Sequence, residues 1–121
     1  MQKLNWLSLS VLLLCSVSTT GIAQSCEHID AQCSQQKIQQ LTQQMKQEYQ
    51  VLKLKVTRNQ QKVLQYSQMA WLTQREHACG QYSDASTHIN CHVDALVQRK
   101  DWLTEQVKIC ETQSCQTIKS D

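Results

Sequence analysis

Residues 54–62 read "LKVTRNQQK", and whether the chain turns back within them decides the fold. On their N-terminal side, from Ser34 to Arg58, the apolar positions Ile38, Leu41, Met45, Tyr49, Leu52 and Val56 recur at steps of three and four. That spacing places them on one stripe of a helix. On the C-terminal side, from Gln60 to Ala78, Val63, Leu64, Met69, Ala70, Trp71, Leu72 and Ala78 form a second helical pattern. Neither glycine nor proline separates the two. An unbroken helix over 34–79 would be roughly 69 Å long at 1.5 Å per residue, and a lone rod cannot bury two stripes without a partner chain. Asn59 tolerates the left-handed backbone region better than most residues. It favours a turn at Arg58-Asn59, and therefore a helical hairpin.

Outward from the hairpin the same composition continues. The chain has no proline and no phenylalanine and is rich in glutamine, a straight-chain residue that loses little rotamer freedom in a helix. A third helix is expected from Ile89 to Ile109, with Val93, Leu96, Leu103 and Val107 on its face and Lys100 interrupting the stripe. Gly80 is expected to end the second helix in the left-handed conformation. The expectation is an all-α fold, a hairpin plus third helix forming a small three-helix bundle, with no internal repeat and no linker.

The N-terminus indicates where the chain works. Lys3 precedes an apolar run from Leu4 to Val17, followed by Ser18-Thr19-Thr20-Gly21-Ile22-Ala23, the pattern of a secretory signal peptide with small residues at its cleavage site. The run is about 14 residues, short of the roughly 20 that span a bilayer. Cleavage after Ala23 would leave one domain, residues 24–121, in the periplasm or outside the cell. Six cysteines then remain: Cys26, Cys33, Cys79, Cys91, Cys110 and Cys115. An even number in an oxidising compartment, in a chain with a thin core, implies disulfides. Cys110 and Cys115 both follow the third helix and are expected to pair. The other four gather at the opposite end, in pairings that spacing leaves open.

The full chain has 12 Lys+Arg against 10 Asp+Glu; losing Lys3 brings the net charge to about +1, which gives no support to nucleic-acid binding. The distribution is uneven. Residues 35–62 carry Lys37, Lys46, Lys53, Lys55, Arg58 and Lys62 against Glu48, whereas acids predominate from Glu76 onward, among them Asp94, Asp101, Glu105 and Glu111.

In the segment 71–80, "WLTQREHACG", Trp71, Arg75 and Cys79 are spaced by four and climb one helix face. A guanidinium lying on the indole would form a cation–π pair worth about 0.5–2 kcal/mol, and Cys79 would anchor the helix end. Taken with Cys26 and Cys33, Tyr49 and Leu52, and Cys91, Arg99 and Leu103, this W-x3-R-x3-C resembles the secreted bacterial lysozyme inhibitor family of the LprI type. The resemblance covers about residues 26–107. It departs from the family at Gln74, where an aromatic usually precedes the arginine, and in the additional Cys110 and Cys115. It implies a non-enzymatic binding protein whose partner is lysozyme or another envelope protein. Trp71, Arg75, Arg99 and Tyr49 read as structural, since a motif spread over facing helices usually serves packing.

The candidate contact region is the segment 79–91, "CGQYSDASTHINC", where a disulfide would stiffen a loop presenting Tyr82, Asp84 and His88. Such a plug suits a lysozyme cleft, which offers two carboxylates and many sugar-binding groups. His77, His88 and His92 near Cys79 and Cys91 also suggest metal ligation, but oxidised cysteines are unavailable as ligands. No metal or cofactor is expected. No Ser/His/Asp order, phosphate loop or CxxC is present, so no catalytic residue is expected. The rival reading is a structural or assembly module of the envelope, with Leu54, Leu72 and Val97 as a second apolar surface. The two readings differ in the oligomeric state they require, which the sequence leaves open.

Overall fold

The computed structural model describes residues 31–113 and 115; the expected signal peptide and Cys26 lie outside them. With no proline in the chain, three long helices form: α1 (Ala31–Lys55), α2 (Arg58–Cys79) and α3 (Ala85–Thr112), with no strand among the described residues. The bundle is all α.

The chain does turn back, but not at Arg58-Asn59. Thr57 is extended (φ −67°, ψ 161°) and acts as the N-cap of α2. The Gln60 backbone N–H donates to Thr57 Oγ1 at 3.4 Å, and the Thr57 N–H donates to Gln60 Oε1 at 3.0 Å. This reciprocal capping box satisfies the otherwise orphaned donors of a helix start. Arg58 and Asn59 consequently lie in the first turn of α2, and no non-glycine residue among those described has a positive φ. Val56, just before the cap, is buried in the core and fixes the turn from below.

Two further boundaries differ from expectation. Helix α3 begins at Ala85, four residues before Ile89, because Asp84 caps it: its Oδ2 accepts from the Thr87 backbone N–H at 2.7 Å and from Thr87 Oγ1 at 2.6 Å. Gly80 is right-handed (φ −65°, ψ −11°) and its N–H donates to the Glu76 carbonyl. Its lack of a side chain matters for a different reason, since a Cβ there would come within 2.8 Å of the Glu76 carbonyl oxygen.

Helix directions follow from the contacts at the ends. Lys55 Nζ lies 3.1 Å from Glu111 Oε1, so α1 and α3 run parallel. Gln60 Nε2, at the start of α2, donates to the Cys115 carbonyl beyond the end of α3, so α2 runs antiparallel to both. The apolar core is Met45, Leu52 and Val56 of α1, Leu64 of α2, and Leu96, Leu103 and Val107 of α3. At about 1.5–3 kcal/mol per fully buried aliphatic side chain, most of this burial joins α1 to α3. Helix α2 supplies one leucine and is held largely by other means.

Those means include covalent and polar ties. Cys79 at the end of α2 is bonded to Cys91 in α3, with Cα atoms 5.5 Å apart. Cys110 is bonded to Cys115, the expected pairing, although only Cys115 follows the third helix: α3 runs on to Thr112, past Ile109, so Cys110 lies within its last turn. Cys33 is also disulfide-bonded.

Candidate functional site

The connection between α2 and α3 is much shorter than the segment 79–91. It comprises residues 80–84, and the rest of that segment is the first two turns of α3. Four interactions pin it. The Cys79–Cys91 disulfide closes its base, and the Tyr82 N–H donates to the Cys79 carbonyl at 3.3 Å. His88 Nδ1 lies 2.8 Å from the same carbonyl, and Asp84 caps the outgoing helix. Cys79 itself is fully buried.

The three residues expected to present outward thus occupy different environments. Tyr82 is exposed, with half of its surface open to solvent. The Asp84 carboxylate is solvent-exposed but engaged by the Thr87 hydroxyl and N–H, which hold its pKa below the ordinary aspartate value. His88 is half-buried, and its ring meets His92 edge-on with centroids 4.6 Å apart. Burial is the main reason His92 titrates below the usual imidazole value.

Beside the bend, α3 carries a shallow depression of about 340 Å³ bordered by Tyr82, Thr87, Asn90, Asp94 and Gln98. Asp94, Gln98, Asp101 and Glu105 are all exposed on α3, and their spacing of four, three and four keeps them on one face. The depression and this acidic face are continuous through Asp94 and Gln98. Asn90 and Gln98 were not singled out in the sequence. Their helical spacing from Asp94 is the signal that locates them.

The tryptophan–arginine line of α2 has a partner on α3. The Arg75 guanidinium carbon lies 5.0 Å from the Trp71 ring centroid, and that of Arg99 lies 5.8 Å from the same ring and 4.3 Å from Trp102. Arg99 is buried and donates from Nε to Gln68 Oε1 and from Nη2 to Ser67 Oγ, both at 3.0 Å. Arg75 pairs within α2, not across to α3: its Nη2 donates to Glu76 Oε1 at 2.6 Å. This contact holds the Glu76 carboxyl below its ordinary range. Tyr49 lies apart from this group, half-buried against the core on α1.

Cys79 and Cys91 are oxidised, and among the described residues no three His, Cys, Asp or Glu side chains are grouped so as to hold a metal ion. A family model described as lysozyme inhibitor LprI matches residues 22–117.

The chain belongs to the LprI lysozyme inhibitor family. No curated protein and no solved structure shows significant similarity to it. In this LprI-family chain, a second concavity lies between α1 and α2 and reaches His92 of α3 at the end nearer the bend. It measures about 600 Å³ and is bordered by Ile38, Met45, Tyr49, Met69 and Leu72 among others. Of Leu54, Leu72 and Val97, only Leu72 borders it. The concavity depends on the separation of two helices, which periodicity alone does not reveal.

Proposed function

We propose that the mature protein is an exported, non-catalytic binding protein that inhibits lysozyme by steric occlusion of its cleft, with the pinned bend at residues 80–84 as the inserting element. The observation that carries this reading is the exposure of Tyr82 on a five-residue bend closed by a disulfide and a helix cap. A preorganised tip loses little conformational entropy on binding, and a tyrosine offers large contact area with a polar end. Tyr82 makes the principal contact, while Asp84 and His88 shape the bend and border the interface. Host-type lysozymes are strongly basic, and the exposed face of Asp94, Asp101 and Glu105 would steer their approach. Family membership supports lysozyme as the partner; the leader pattern of residues 1–23 supports export to the periplasm or beyond. No described helix is long and apolar enough to cross a membrane.

The test is titration of purified mature protein against several lysozyme classes in a cell-wall lysis assay, with Tyr82→Ala alongside. Inhibition of at least one class, weakened about tenfold or more by Tyr82→Ala without a change in melting temperature, is the expected result. Failure to inhibit any class removes the proposal. The second reading, a structural module of the envelope, is favoured by the concavity between α1 and α2. An inert, obligate oligomer on size exclusion would support it over inhibition.

A further inference from the structure

Beyond lysozyme binding, we infer that the mature protein docks on an anionic phospholipid bilayer through the face where α1 and α2 meet, with the turn at Thr57 nearest the lipid. On α1, Lys46, Gln50 and Lys53 follow at steps of four and three; on α2, Arg58, Lys62, Gln65 and Met69 follow at steps of four, three and four. Each set therefore occupies one helix face. Lys46 and Gln50 border the groove between the two helices from one side, Gln65 and Met69 from the other. Both sets thus flank that groove, and three of the four cations, Lys53, Arg58 and Lys62, gather toward the turn.

None of the four has an ion-pair partner among the described residues, where Lys55, Arg75 and Lys100 form the pairs. Lys46, Arg58 and Lys62 are exposed and Lys53 is half-buried. The acid on the α2 stripe, Glu76, lies seven residues beyond Met69 at the far end of the helix and is engaged by Arg75.

Apolar side chains stand among these charges. Leu54, four residues after Gln50, is 86% exposed, and Tyr66, four after Lys62, is 72% exposed. A leucine is stabilised by leaving water for hydrocarbon, a tyrosine suits the boundary between headgroups and chains, and cations are drawn to the negative potential of an anionic leaflet. Charge and apolar exposure together select the occupant. A second copy's acidic face on α3, Asp94, Asp101 and Glu105, would answer the charge alone, because none of the large exposed apolar side chains among the described residues lies on α3. A bilayer answers both. The bend at 80–84 follows the far end of α2, whose 22 residues span roughly 33 Å at 1.5 Å per residue. Docking by the turn therefore leaves Tyr82 clear of the lipid.

The test is flotation of mature full-length protein with vesicles of mixed phosphatidylglycerol and phosphatidylcholine, against vesicles of phosphatidylcholine alone. The protein should float with the anionic vesicles only, and salt should release it. Each cation near an anionic leaflet strengthens attachment about fivefold, so reversing two with Arg58→Glu and Lys62→Glu should weaken it about thirtyfold or more. Leu54→Asp should weaken it about tenfold. All three positions are exposed, and circular dichroism verifies that the variants fold. Equal flotation with both vesicle types, flotation with neither, or unchanged affinity of the double variant would overturn bilayer docking. Unchanged affinity of Leu54→Asp would overturn it in favour of a surface that attracts any polyanion. An oligomer in vesicle-free solution that the double variant dissolves would overturn it in favour of a second copy.

Discussion

The guanidinium of Arg99 lies 4.3 Å over the ring of Trp102 and is anchored from the opposite helix by Ser67 and Gln68. Since α2 places only Leu64 in the apolar core, this arginine is a principal tie between α2 and α3. Two hydrogen bonds from a charged group and a partly desolvated cation–π contact together suggest a cost of roughly 2–4 kcal/mol for Arg99→Ala. Arg99→Lys keeps the charge but loses the planar fork that serves both acceptors, and should recover only part of it. Urea unfolding measures both; an unchanged midpoint for Arg99→Ala would refute the tie.

The turn between α1 and α2 is specified by Thr57 and Gln60. Thr57→Ala should destabilise by about 1 kcal/mol, a fall in Tm of about 4–8 °C for a domain of this size. Asn59→Ala should be neutral or slightly stabilising, because Asn59 lies in a helix where alanine is the better former. A larger loss at Asn59 than at Thr57 in thermal melts would place the turn back at Arg58-Asn59.

These two positions show why the fold was readable in outline and displaced in detail. The stripe from Ile38 to Val56 repeats often enough to define a helix, and the need of a lone chain to bury a second stripe favoured a hairpin over one long rod. The exact break was set by a local signal, Thr57-x-x-Gln60, that looks like ordinary helix composition until the backbone around it is seen. Helix α3 began early for a similar reason: its first turns carry Ser86, Thr87 and His88, which give no apolar period, while Asp84 supplies the cap. The pairing of Cys110 with Cys115 followed from position alone. The groove between α1 and α2 depends on how deeply each helix sits on α3, which one-dimensional spacing does not encode.

The bend at 80–84 owes its rigidity to Cys79–Cys91. Replacing both residues by serine should lower stability by about 3 kcal/mol, the chain-entropy value for a loop of this size. It should also weaken lysozyme inhibition more than the loss of folded protein explains, because Tyr82 would no longer be preorganised. Inhibition measured at a temperature where the double variant is fully folded separates the two effects. Equal potency of the variant and the parent there would show that the tip needs no clamp.

Acid should destabilise the protein in two steps. His92 has a folded pKa held below its ordinary 6.5, first by burial and further by the charges of Arg75 and His88, against an opposing pull from Glu76. The unfolded chain therefore binds the proton more readily, and the stability present above pH 6.5 is lost as the pH falls through the lower folded value. Glu76 and Asp84, lowered from 4.5 and 3.8 by their contacts with Arg75 and Thr87, contribute stability above those values and lose it as the pH falls through their folded ones. Thermal melts from about pH 7.5 to about pH 5 should show a declining Tm that is flattened by His92→Gln. Asp84→Asn, which keeps a capping side chain but cannot ionise, should leave that step intact and reduce only the one at lower pH. If His92→Gln leaves the decline near neutrality unaltered, burial of His92 is not its source.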